Sequence, residues 1–400
     1  MDKILNRFLK YISFDTQSDD SSLTTPSTEK QKDLGNYLVN ELKDLGIDNA
    51  YMDQFSYVYA YIPGKNNNKT VGLIAHLDTA TEMPGKVTNP NIIENYQGET
   101  ITLLNNVILD PKNFDSLNKV IGHKIVTTDG TTLLGGDDKA GIAIIMSTIE
   151  KIIQNNTNYP NIFICFTPDE EIGGGTAKFN YDYFKVDFAY TLDGGAIDII
   201  NYENFNAASA IVNFYGESIH PGDAKDKMIN SALIAMEFQS LLPNIRPENT
   251  DGYEGCNHIC DITGCGSKTT REYIIRNHDK NLFEKQINDF INIEEQLNKK
   301  YNKKVCSVTI KRSYKNMKEK IDEKTEVLEY PINALKAFGY NPTFVPIRGG
   351  TDGASLSYNG IPCPNLGTGT FNMHGPYEFS SITDMNTMVN VLIKMLEYIK

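Results

Sequence analysis

The chain has 400 residues, 40% hydrophobic and 22% charged, with no long polar low-complexity tract; this is an ordinary globular profile with room for two or three domains of roughly 100–200 residues each. Lys plus Arg number 38 against 51 for Asp plus Glu, a formal net charge of −13, which disfavours general binding to nucleic acid or anionic membrane. Six irregularly spaced Cys do not make a disulfide framework, the opening Met1-Asp2-Lys3-Ile4-Leu5 lacks a signal-peptide core, and no run of about 18 apolar residues occurs, so the expected compartment is the cytoplasm.

Apolar residues at helical spacing predict helices over 2–12 and 30–45. Residues 51–62 and 71–76 read as strands, and 85–132, rich in Asn, Asp and Gly, as an inserted loop with a small sheet. Residues 138–154 form a helix apolar on most faces, which implies deep packing. The continuous apolar runs 161–166 and 188–192 suit strands buried on both faces. Strands separated by helices predict an α/β domain with a mixed, mainly parallel sheet.

The middle third changes rhythm. Strand 207–215, helix 224–242, strands 255–262 and 269–276, helix 281–300 and strand 305–311 give the order βαββαβ, the ferredoxin-like pattern. The expected organisation is a first domain over 1–205 and 315–400, interrupted by an inserted α+β domain over 206–314. Helices over 325–338, 351–358 and 385–399, with a strand over 343–346, would complete the first domain.

Chemistry-bearing residues recur at the strand ends beside Gly-rich backbone. His76-Leu77-Asp78 follows the 71–76 strand, where residues i and i+2 share a side; a carboxylate beside a metal-bound imidazole fixes its tautomer. In Gly135-Gly136-Asp137-Asp138-Lys139 one carboxylate could bridge two metals while the other caps the helix. Pro168-Asp169-Glu170-Glu171 places three acids in a row at the sheet edge, a repulsion that divalent ions would relieve, with one Glu as ligand and its neighbour as base. Leu192-Asp193-Gly194 and Asn372-Met373-His374-Gly375 complete the series. Two His with several carboxylates suit a pair of zinc or similar borderline ions.

In this order the motifs resemble the co-catalytic zinc aminoacylase and carboxypeptidase family, and within it the peptidase T branch, the tripeptide aminopeptidases. Three further stretches support the likeness: Ser218-Ile219-His220-Pro221-Gly222-Asp223-Ala224-Lys225, Arg246-Pro247-Glu248-Asn249-Thr250-Asp251-Gly252-Tyr253-Glu254-Gly255, and Pro346-Ile347-Arg348-Gly349-Gly350-Thr351-Asp352-Gly353-Ala354. The resemblance implies two zinc ions, with cobalt or manganese as substitutes, held by His76 and Asp193 on one side, Glu171 and His374 on the other, and Asp137 between them. It implies a cis peptide after Asp137, Glu170 as general base and Asp78 as orienter of His76. His220 of the inserted domain is the expected oxyanion donor, Arg348 the grip on the substrate's C-terminal carboxylate, and Asn230 and Asn372 further hydrogen-bonding residues.

The implied activity is removal of the N-terminal residue from tripeptides, with the inserted domain as a lid and its outer strand edge as a candidate homodimer surface. The alternatives are a dipeptidase or aminoacylase with the same metals, and a metal-free peptide-binding protein; every ligand and base position is filled, which disfavours the latter. Where the family pattern continues with an aromatic residue and His-Leu, this chain has Cys256-Asn257-His258-Ile259. The spacing of Cys256, His258, Cys260 and Cys265 does not match a zinc ribbon or finger. The Lys-rich stretches 299–304 and 311–320 lack interleaved stacking aromatics and read as solvated surface.

Overall fold

A computed structural model describes residues 2–65 and 69–399. It divides into two compact units, one of Met1–Tyr202, Met317–Val345 and Thr351–Lys400, the other of Glu203–Asn316 and Pro346–Gly350.

The first unit is built on an eight-stranded mixed sheet. Its strands lie in the order Tyr51–Met52, Val58–Ile62, Asn161–Thr167, Thr70–His76, Phe188–Gly194, Asn365–Gly367, Ile199–Asn201 and Thr343–Phe344. The four from Asn161–Thr167 to Asn365–Gly367 run parallel, so their C-terminal ends share one edge, the usual place for a site in such a sheet. Helix Gly136–Gln154 packs between the sheet and the helices Lys3–Ile12 and Ile382–Tyr398. Enclosure on three sides explains why almost its whole circumference is apolar and buried. A Cβ at Gly141 would collide with the Leu192 carbonyl, so glycine is what lets this helix approach the Asp193 strand.

A cluster around Tyr57, Tyr59, Phe179, Phe184 and Leu356 forms another part of this core. The strand expected over 51–62 is instead a tight hairpin: the Asp53 carboxylate accepts the amides of Phe55 and Tyr57 at 2.9 and 3.0 Å and Ser56 takes φ +72°. The 85–132 region contributes Asn91–Ile93 and Ile125–Thr127 to a small antiparallel sheet completed by Thr370–Phe371 and Phe379–Ser381. That long-range pairing has no local signature, which is why sequence pattern alone did not reveal it.

The second unit is a four-stranded antiparallel sheet ordered Cys256–Gly264, Lys268–Asn277, Asn206–Tyr215 and Cys306–Arg312, carrying helices Ser231–Leu241 and Lys280–Tyr301. This is the ferredoxin-like arrangement. Alternation along Lys268–Asn277 turns Tyr273 and Ile275 inward onto Phe238 and Phe290. The helix expected over 224–242 starts only at Ser231, because Pro221–Asp223 forms a short 3-10 turn and the Asn230 side chain caps the helix by accepting from Ala232 and Leu233.

Candidate active site

The motifs converge at the common edge of the four parallel strands. His76 ends its strand fully enclosed; its Nε2 lies 2.9 Å from Asp137 Oδ1 and 3.6 Å from Asp193 Oδ1. Its Nδ1 lies 3.0 Å from the Asp78 carbonyl oxygen and 3.4 Å from Asp78 Oδ1. The other oxygen of Asp137 is 3.5 Å from His374 Nε2, which is also 3.0 Å from Glu171 Oε2. Asp137 therefore stands between two imidazoles, one with Asp193 beside it and the other with Glu171. Glu170, His76 and Asp193 have ligand atoms within 4.8 Å of one another, as do His76, Asp137 and Glu171.

Each of these loops is held by a polar group from another. Asp78 accepts the amides of Glu170 (3.0 Å) and Glu171 (3.2 Å). Asp138 accepts the His76 amide at 3.1 Å with one oxygen and the Gly141 amide at 3.1 Å with the other. It thus caps its helix and ties it to the His76 strand. The peptide between Asp137 and Asp138 is cis. Asn365 accepts the Asp193 amide at 2.9 Å. Asp169, buried at φ +58°, accepts the Ser27 amide and hydroxyl and the Gln31 side-chain amide, which anchors the acidic run to the N-terminal segment.

The electrostatics suit a cation. Burial and the charge of Asp137 push Glu171 up to about 7 and Asp193 up to about 6. Burial and the charge of Asp193 push Glu170 well above the ordinary carboxylate range. Burial alone would raise Asp137, but hydrogen bonds from His374 and His76 hold it far below that range. Hydrogen bonding to Asp137 and Glu171 pushes His374 up to about 11. Left to itself the cluster competes for protons, and a divalent ion would satisfy the same lone pairs. Glu171 Oε1 is buried without a hydrogen-bond partner, an orphaned acceptor of the kind a metal ion fills. The imidazole and carboxylate donors fit zinc or a similar borderline ion.

Several contributors lie outside the motif reading. Glu378, four residues after His374, accepts the amides of Leu134, Gly135 and Asp137. Asp352, read only as part of the Arg348 motif, is buried and accepts from the Thr167 hydroxyl at 2.8 Å. Glu82 lies 3.3 Å from His374 Nδ1. The only sequence signals were the close spacings to His374, Arg348 and Asp78.

The remaining expected residues hold parts of their own units together. Asn372, at φ +54°, accepts from the Ser116 hydroxyl and donates to the Tyr377 carbonyl. In the second unit the exposed His220 accepts the Gly222 amide through Nδ1 at 3.1 Å, and Asn230 is the helix cap. Arg348 donates from its terminal nitrogens to the carbonyls of Thr250, Gly252 and Glu254 and to the Thr250 hydroxyl. Cys260 and Cys265 are exposed and all six cysteines are outside disulfides; they join none of the ligand groups found among the described residues. In the basic stretches, Lys300 pairs with Glu237 and Lys303 with Glu217.

Residues 127–398 match the model of peptidase family M20/M25/M40. The chain belongs to that family and is a peptidase hydrolase. Over 99% of both chains it is 46% identical to peptidase T of Halothermothrix orenii. It is similar in fold to aminopeptidase PepT of Bacillus cereus, with a TM-score of 0.80 at 20% identity over 99% of this chain and 97% of that one. A tripeptidase from Staphylococcus aureus is similar at a TM-score of 0.78 and 19% identity, covering 99% of this chain and 97% of that one. No helix among the described residues is long and apolar enough to cross a membrane.

Proposed function

We propose that the protein is a cytoplasmic tripeptide aminopeptidase that hydrolyses the first peptide bond of its substrate and releases an amino acid and a dipeptide. The observation that carries this reading is Asp137, whose two oxygens face His76 and His374 in a chain 46% identical to a peptidase T over 99% of both chains. His76, Asp193 and Asp137 would hold one divalent ion, and Glu171, His374 and Asp137 the other, with zinc the first candidate. Such ions, when bound, supply Lewis-acid polarisation of the scissile carbonyl and water activation near neutral pH.

The chain's own residues do the rest. Glu170, within ligand reach of His76 and Asp193, takes the proton of the attacking water and returns it to the leaving amine. Asp78 fixes the His76 tautomer and, through its two amide contacts, the orientation of Glu170 and Glu171. His220 is the candidate donor to the developing oxyanion. Arg348 is the candidate for the substrate's C-terminal carboxylate, in competition with the carbonyls of the 250–254 loop, which now occupy its terminal nitrogens. Asn230 and Asn372 are candidates for further substrate hydrogen bonds. The inserted unit would act as a lid, and the open edge of Cys256–Gly264 is the candidate surface for a second copy of this chain.

The test is a matched series, Ala-Ala, Ala-Ala-Ala, Ala-Ala-Ala-Ala and N-acetyl-Ala, with zinc or cobalt and with a chelator control. Preferred, chelator-sensitive cleavage of the tripeptide with release of free alanine is expected. Preference for N-acetyl-Ala or the dipeptide would leave the metal chemistry and overturn the substrate.

A further inference from the structure

Glu378 lies outside the motifs that single out the site in the sequence. Its carboxylate is 1% exposed, and both oxygens point at one loop: Oε2 accepts the amides of Leu134 at 2.8 Å and Gly135 at 3.0 Å, and Oε1 accepts the amide of Asp137 at 3.1 Å. The loop it grips turns at Gly135, φ +71°, two residues before Asp137. The same short segment carries His374, so a ligand and the brace of another ligand are four residues apart.

We infer that Glu378 is a positioning residue for the metal pair: it fixes the 134–137 loop so that Asp137 directs one oxygen toward His76 and the other toward His374. This rests on the reading of Asp137 as the shared ligand. Stability alone is a poor reason for the arrangement, because an anion is buried next to another anion. The chemistry also demands a carboxylate. Three amide donors approach two oxygens, and a neutral glutamine has one acceptor oxygen and one NH2 group. In Glu378→Gln at least one loop amide must face another N–H, so the loop cannot keep its present shape.

The experiment compares full-length wild type, Glu378→Gln and Glu378→Asp after chelation and dialysis. Zinc is added against a chromophoric competitor to obtain the affinity of each bound ion, and the melting temperature of each metal-free protein is recorded. Zinc stoichiometry of the wild type tests the shared-ligand reading before any variant is considered. The expected result is that both ions weaken together in Glu378→Gln, by about 10–100-fold, while the metal-free protein still unfolds in one cooperative transition. Glu378→Asp keeps both oxygens on a shorter stem and should fall between the two; it carries the test if the Gln variant does not fold. Unchanged zinc affinity, weakening of one ion only, or failure of both metal-free variants to fold would each overturn the inference.

Discussion

The two units bury different things. In the inserted unit the space between one sheet face and two helices is filled mainly by apolar side chains, with Phe214, Phe238, Tyr273 and Phe290 at the centre. In the first unit, Asp78, Asp138, Lys139, Asp169, Asp352 and Glu378 are all buried near or behind the strand ends. Burying an ion costs several kcal/mol unless partners compensate. Here backbone amides and hydroxyls compensate several of the carboxylates, loop by loop. The contrast separates residues selected by packing from residues that packing alone would not keep: removing charge from the strand-end cluster of the first unit should hurt chemistry and spare the fold, while removing a core ring from the second should do the reverse.

Glu170→Gln is the strongest form of that test. It should lower kcat by about 10²–10⁴-fold while leaving the metal-free melting temperature unchanged or higher, since a part-buried carboxylate with a raised proton affinity has been removed. Stopped-assay kinetics and thermal unfolding read the two arms, and a fall in melting temperature would break the contrast. Phe290→Ala is the counterpart: Phe290 is fully buried against Phe238 and Tyr273, and its truncation should cost about 3–5 kcal/mol in denaturant unfolding, with zinc affinity unaltered.

His220→Ala crosses the boundary on purpose. The side chain is exposed and, among the described residues, bonds its own turn, so unfolding should not change. If it donates to the oxyanion, kcat should fall by about 10²–10³-fold with a smaller change in KM. Wild-type kcat in this variant would remove His220 from the chemistry.

The smallest effect concerns the far side of the first unit. Glu150 receives hydrogen bonds from Lys3 and Arg7. Burial would raise its pKa, but those cations hold it at about 2, below the roughly 4.5 expected of an unfolded chain. The folded value is the lower one, so the contribution is fully present above about pH 4.5 and is lost as pH falls toward 2. The urea midpoint of Glu150→Gln should therefore converge on that of wild type across this window; a constant gap would contradict the assignment.

What could be read from the residues divides along the same line. The periodicity of 269–276 and 281–300 was enough for the inserted unit, because one apolar face per element is all that such packing requires. His76, Asp137, Glu171, Asp193 and His374, which the structure brings together, stood out because each lies at a strand or loop end, Asp137, Asp193 and His374 directly beside glycine. Glu378 and Asp352 were not, since a single acid in a turn or at a helix start has the same local pattern whether it is solvated or buried. Asn365, which holds the Asp193 amide, lies within an ordinary-looking strand. Asn230 shows the opposite error of emphasis: Asn immediately before an apolar helix is first of all a cap, and here its side-chain oxygen serves that end.

The central claim is that turnover of tripeptides depends on two ions shared through Asp137. It is tested most directly by restoring zinc stepwise to chelated wild-type protein while measuring bound metal and alanine released from Ala-Ala-Ala in the same samples. Activity should rise with site occupancy, reach its maximum when two ions are bound, and be absent from Asp137→Asn at the same zinc concentration. Full turnover in the chelated protein, or saturation of zinc binding and activity that is indifferent to Asp137→Asn, would contradict it.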